Sequence, residues 1–192
     1  MRDKIKLEGK LITLEEIEPK FFPYVVEWRN DPELNKYIIQ PFVLTIEKER
    51  DWYENQYLKF GGGGQGFLIG IDRKSGEPFG TVGWNYLDTE KRRCVTLRLL
   101  STEKKDPMKG FEMSFVLGDY LYQFVDETFC HISTQNQRAL RRTRYSGAVR
   151  NDGEIQYPEF LHMNGMDLIE FRRTKERFKE AREKFYTLLE EE

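Results

Sequence analysis

At 192 residues with 39% hydrophobic side chains, the chain is long enough to bury one sizeable core, and 14 Phe, 10 Tyr and 3 Trp put much of that burial on aromatics. Lys and Arg number 31 against 33 Asp and Glu, a formal net charge of -2, which excludes a general nucleic-acid binder because such a surface needs a basic excess. No apolar run approaches the roughly 18–20 residues that span a bilayer, and the opening MRDKIKLEGK lacks a secretory pattern, so a cytoplasmic protein with no membrane partner is expected.

In chain order, residues 5–17 read as a first strand with a bend at Gly9, and Pro19 opens a helix that Arg29-Asn30-Asp31-Pro32 ends, because a residue before proline avoids helical angles. Residues 33–39 suggest a short helix. Thr45 is an N-cap for a helix from Ile46 to about Lys59, and Gly61–Gly64 reads as a flexible loop. Residues 67–72, 79–87 and 92–100, separated by short turns, form an antiparallel meander. Phe111, Phe115, Gly118, Tyr122 and Val125 then share one face of a helix from Phe111 to about Val125.

Residues 129–134 form the next strand, 137–146 a basic helix ended by Gly147, 148–155 and 160–170 a closing pair of strands, and 171–192 a helix. The Phe171, Phe178, Phe185 and Leu188/Leu189 stripe of that last helix fits packing on its own domain; the chain is a monomer or homodimer. Cys94 and Cys130 lie inside strands and read as small buried hydrophobes, with neither Cys130 nor His131 expected to be catalytic and no metal site in view. One mixed α/β (α+β) domain, residues 1–192, is expected: a mostly antiparallel sheet flanked by helices.

The segment 94–136 carries the chemistry. A strand (CVTLRLL), the turn Glu103-Lys104-Lys105-Asp106-Pro107-Met108-Lys109-Gly110, a helix and a second strand ending at Asn136 is an arrangement that sets backbone N–H groups and a helix N-terminus against a phosphate. Lys104, Lys105 and Lys109 add fixed charge at the turn, and Arg138, Arg141 and Arg142 on the next helix fall at i, i+3 and i+4.

With this element order, and with Trp28-Arg29-Asn30-Asp31-Pro32-Glu33, Gly80-Thr81-Val82-Gly83, Asp88, Arg92-Arg93, Lys109-Gly110-Phe111 and the spacing from Asn136 to Gly147, the chain resembles an acyl-CoA N-acyltransferase of the GNAT superfamily, nearest the ribosomal-protein N-terminal and spermidine acetyltransferase branch. The resemblance covers roughly residues 5 to 171. It implies acetyl-CoA as cosubstrate, with the pyrophosphate at Lys105, Met108, Lys109, Gly110 and Phe111. The family's first loop glycine is Met108 here. Asp106-Pro107 can serve as N-cap and N1 and start the helix early, and Asp106 then competes with phosphate for the same amides. The backbone of Leu97–Leu100, with Leu99 and Leu100 foremost, would bond the pantetheine arm, Asn136 would meet it from the other side, and Arg141 would add charge.

Many relatives carry a tyrosine seven residues after the asparagine as acid for the leaving thiolate; that position is Thr143, with Tyr145 two further on and about 200° round the helix. The catalytic acid is open between them, and the base is open among Glu27, Asp88 and Glu103. The acceptor pocket is drawn from Trp28, Arg29, Asn30, Tyr53, Trp84, Asn85 and Tyr86, with Trp28, Asn30, Trp84 and Asn85 foremost. Trp-Arg-Asn-Asp followed by Thr45…Trp52 is also similar to acetyltransferases acting on nucleotide-linked amino sugars. The resemblance implies direct attack of a primary amine, on a small molecule such as an amino sugar or polyamine or on a protein N-terminus. A non-catalytic relative that binds an acyl-CoA or a protein partner is the alternative.

Overall fold

The computed structural model describes residues 4–191 apart from 39, 41, 61–63, 104, 105, 163 and 164. The bend at Gly9 is a hairpin turn between β1 (Lys6–Glu8) and β2 (Ile12–Glu16), which pair antiparallel. A fully buried carboxylate, Glu112, closes it by accepting the N–H groups of Lys10 at 2.7 Å, Leu11 at 2.8 Å and Ile12 at 3.0 Å. A Cβ on Gly9 would stand 2.7 Å from the Glu112 Cδ, so glycine is what lets the turn sit on that carboxylate.

Helix α1 (Phe22–Asn30) follows, then α2 (Pro32–Asn35), whose cap Asp31 accepts the N–H groups of Glu33 and Leu34. Thr45 caps α3 (Ile46–Trp52), accepting from the Lys48 N–H at 3.3 Å, and the chain continues through a π turn at Tyr53–Tyr57 into α4 (Leu58–Phe60). The wide turn buries Tyr57, whose hydroxyl donates to Glu16 Oε1 at 2.7 Å. The meander is β3 (Gly66–Asp72), β4 (Pro78–Asp88) and β5 (Arg93–Ser101).

Helix α5 runs Pro107–Leu121, four residues earlier at each end than the Phe111–Val125 periodicity suggests. Asp106 supplies the cap and Pro107 a ready φ at the first helical position, so the helix starts as soon as the turn allows. Then come β6 (Glu127–Ser133), α6 (Gln137–Tyr145), β7 (Val149–Arg150), β8 (Leu168–Thr174) and α7 (Lys175–Glu191). The expected strand 148–155 is therefore two residues long, and 160–170 gives way to a 3-10 turn at Pro158–Phe160 before a strand shifted toward the C-terminus. The buried Glu170 carboxylate explains the irregular stretch: it accepts from Asn151 Nδ2 at 2.6 Å and from the N–H groups of Gln156 at 3.0 Å and Tyr157 at 2.9 Å, bonds a ladder would otherwise take. Phe171 belongs to β8, and α7 begins at Lys175.

The eight strands lie in the order β1-β2-β3-β4-β5-β6-β8-β7, antiparallel throughout except between β5 and β6. Helices α5 and α7 cover one face over Leu14, Leu68, Trp84 and Cys94; α1 and α3 cover the other over Phe67 and Ile69. Phe178 of α7 lies where a Cβ on Gly118 would be, 2.2 Å from its ring, and stacks on Tyr122 at 4.6 Å. Phe178 and Phe185 are thus core residues of this domain.

Candidate active site

Strands β5 and β6 pair at three positions, Arg93–Glu127, Cys94–Thr128 and Val95–Phe129, and then part. The Thr96 hydroxyl takes over at the fork, donating to the Phe129 carbonyl at 3.3 Å. Beyond it, among the described residues, no strand lies along the β6 side of residues 97–101, so backbone groups face a gap. A bulge in β5 shapes this edge: Thr81 opposes Leu100 and Gly83 opposes Leu97, leaving Arg98 and Leu99 opposite Val82 alone. Arg98 takes the left-handed φ of 61°, and its carbonyl accepts from the Thr81 hydroxyl at 2.5 Å. The gap opens into a cavity of about 1300 Å³ walled by both strands, α5, α6 and the α1–α3 region.

On the α5/α6 side the wall holds Leu99, Leu100, Ser101, Asn136, Arg138, Arg142 and Thr143. The Ser101 Oγ and the Arg142 Nε are buried without a hydrogen-bond partner. Burial, reinforced by Arg138 nearby, pushes the Arg142 guanidinium down to about 10. On the α1/α3 side the wall holds Arg29, Glu49, Trp52, Arg98, His131 and Phe160. His131 stacks on Phe160 at 4.8 Å and its Nε2 lies 3.0 Å from Glu170; burial pushes its pKa down, with Glu170 opposing. Cys94 and Cys130 are pushed up by burial to about 12 and about 11, which makes both thiols inert at neutral pH.

The family model described as Acetyltransferase (GNAT) domain matches residues 12–149. The chain belongs to the GNAT acetyltransferase family. Among curated sequences nothing matches it. Of solved structures, the spermidine N-acetyltransferase from Vibrio cholerae in complex with CoA and spermine superposes with a TM-score of 0.72 at 13% identity, covering 89% of this chain and 99% of that one. FdhC, a nucleotide-linked sugar GNAT, gives 0.77 at 15% identity over 96% and 98%. The RimL ribosomal L7/L12 alpha-N-protein acetyltransferase gives 0.73 at 12% identity over 90% and 96%. The architecture is that of the GNAT fold, a mixed α/β single domain.

Within the GNAT frame, the sequence-predicted residues sort by position. Leu99, Leu100, Asn136 and Thr143 line the cavity. Asn136 also caps α6, its Oδ1 accepting from the Ala139 N–H at 3.0 Å. Gly110 is buried beside Ser101. Met108 packs on the main core, and its N–H donates to Asp106 Oδ1 at 3.0 Å. Lys109 turns away to Asp72 at 2.8 Å, with Glu103 at 3.6 Å and Asp106 at 3.9 Å; the Asp72 bond raises its pKa. Phe111 packs against Tyr145, ring centroids 4.8 Å apart, and neither these two nor exposed Arg141 reaches the cavity wall. Lys104, Lys105 and Gly61–Gly63 lie outside the described residues.

Trp28, Asn30, Trp84 and Asn85 are not on the cavity wall. Trp84 is core, with its ring filling the space that a Cβ on Gly66 would need. Trp28 packs on Tyr24, and the Asn30 amide staples the chain by exchanging two hydrogen bonds with the Leu44 backbone. Arg29, their neighbour, does line the cavity, and so do Glu49 and Arg98, which sequence reasoning missed. Two signals pointed to them: Glu49 shares the helical face of Trp52, Tyr53 and Gln56 at i, i+3, i+4 and i+7, and Arg98 stands inside the apolar run CVTLRLL. Among the described residues no cluster of His, Cys, Asp or Glu is placed to hold a metal, and no helix is long and apolar enough to cross a membrane.

Proposed function

We propose that this protein transfers the acetyl group of acetyl-CoA to a primary amine by direct attack, on a small molecule such as an amino sugar or polyamine or on a protein N-terminus. The observation that carries this reading is the parting of β5 and β6 after three residue pairs, which opens a cavity walled by Ser114 and Leu117 of α5 and by Asn136, Arg138, Arg142 and Thr143 at α6. Acetyl-CoA supplies an activated thioester carbonyl. The unpaired edge of residues 97–100 offers backbone groups to its arm, and N–H groups there are the donors for charge developing on the carbonyl oxygen. Buried Ser101 Oγ and Arg142 Nε lack partners and suit the arm and its phosphates.

The relatives divide the choice of amine: one similar structure holds CoA and spermine, another acts on ribosomal L7/L12 N-termini, a third on a nucleotide-linked sugar. For the proton on the leaving thiolate, Thr143 on the cavity wall is better situated than Tyr145, which lies on Phe111. Calorimetric titration with acetyl-CoA, beside desulfo-CoA and a longer acyl-CoA, tests the reading. Saturable micromolar binding followed by CoA thiol release with an amine supports it, and no binding by any of the three overturns it. The second reading, a non-catalytic relative, draws on the Asp106 carboxylate that already occupies the Met108 N–H and on the pairing of Lys109 with Asp72. Binding without turnover across a panel of amines favours it.

A further inference from the structure

Three charged side chains on the acceptor side of the cavity have buried atoms that nothing satisfies: Arg29 Nε, Glu49 Oε1 and Arg98 Nη1. They come from separate elements, α1, α3 and the β5 bulge. No hydrogen bond or ion pair within 4 Å joins the three, yet Glu49 feels the field of both arginines and Arg98 that of Arg29 and Glu49. Glu49 is 2% exposed. The Arg98 guanidinium lies over the rings of Trp52 at 5.3 Å and Phe67 at 5.1 Å, so its direction is fixed.

Apart from Arg142 on the opposite wall, the other buried charges among the described residues meet partners. Lys109 meets Asp72, His131 meets Glu170, Glu112 takes three amides, and the Arg173 Nε donates to the Tyr122 hydroxyl at 3.1 Å. An open trio is the exception, and a buried charge without a partner is unfavourable unless a ligand completes it. Two guanidiniums against one carboxylate leave one positive charge uncompensated. A planar fork of N–H donors matches a carboxylate or phosphate and repels a polycation.

We propose that the acceptor is an amine whose molecule also carries a carboxylate or phosphate, the anion held by Arg29 and Arg98 and the ammonium facing Glu49. This rests on the acetyl-transfer reading for the identity of the site, and it narrows the acceptor. The exposed acidic groups Glu33, Glu47 and Asp51 at the same cavity mouth suit the ammonium end. Polyamines fit the trio worst.

The test compares amines that differ only in the anion: lysine against cadaverine, and glucosamine 6-phosphate against glucosamine, titrated calorimetrically with and without desulfo-CoA. At least one anion-bearing amine is expected to bind about tenfold or more tighter than its partner. Which pair shows the difference tells carboxylate from phosphate. Arg29→Gln and Arg98→Gln are each expected to bring that ratio toward one, while Arg98→Lys keeps part of it. Each free variant should melt no lower than the wild type, whereas a trio present only for structure would make them melt lower. Equal binding within both pairs, tighter binding of cadaverine or glucosamine, or no binding by any of the four overturns the proposal. Failure of acetyl transfer shows separately, as binding of an anion-bearing amine with no CoA thiol release when acetyl-CoA is added.

Discussion

Asp106 Oδ1 accepts the Met108 N–H at 3.0 Å, so a carboxylate of the chain itself occupies the helix N-terminus that a GNAT offers to pyrophosphate. The cap stabilises α5 and at the same time sets a negative charge where the pyrophosphate of the proposed acetyl-CoA would approach. Asp106→Ser keeps a capping oxygen and removes the charge. It is expected to raise acetyl-CoA affinity by about three- to tenfold, since one such interaction is of order 1 kcal/mol. Calorimetry at low and high salt checks this, and an unchanged or weaker affinity means that Asp106 does not oppose the phosphate.

Glu112 is expected to be among the costliest polar residues to lose. It takes three backbone N–H groups of the β1–β2 turn, all left unsatisfied by truncation. Glu112→Ala should destabilise the fold by about 3–5 kcal/mol, read from urea unfolding at neutral pH. A loss below about 1 kcal/mol would show that water takes the amides over without cost.

Thr143 and Tyr145 separate by position. Thr143→Val removes a hydroxyl on the cavity wall and should lower kcat by about tenfold, the scale of one hydrogen bond. Tyr145→Phe alters a half-exposed ring on Phe111 and should change kcat less than about twofold. The reverse order of effects would put Tyr145 at the thiolate.

Glu49 and His131 give the stability opposite pH slopes. Burial raises Glu49 above its ordinary 4.5, with Arg29 and Arg98 opposing. The folded state therefore holds a proton that the unfolded chain has lost, and stability falls as pH rises from about 4.5 through the raised value. Burial lowers His131 below 6.5, so the unfolded chain takes up protons first and stability falls as pH drops below about 6.5. Urea unfolding between about pH 4 and pH 8 should show each slope vanish separately in Glu49→Gln and His131→Asn. Retention of both slopes in both variants would trace them to other groups.

Element order was legible because it rests on local signals: alternation in the meander, the Thr45 cap, the Asp106-Pro107 start and glycine at 147, where φ is 86°. The region after Ala148 was not legible, because Glu170 draws its backbone into a loop from a distant strand and no local pattern reports such a partner. The wall proposed for the acceptor was half legible. Trp28 and Trp84 have the size of ligand platforms and equally the size of core residues, and Gly66 decided for core by leaving Trp84 its space. Arg98 reaches the cavity through a bulge and a left-handed φ, neither of which strand periodicity encodes.

A sheet whose two halves meet at only three rungs, Arg93 to Val95 against Glu127 to Phe129, is tied together mainly by what lies across it. Helix α7 is one such tie, leaving β8 and returning with Phe178 and Phe185 to the core of the first half. A molecule lodged in the fork would be another. Such a molecule acts as a removable cross-link, so amide exchange at residues 97–101 and 130–133 should slow together when the fork is filled, as two loosely coupled segments become one cooperative unit.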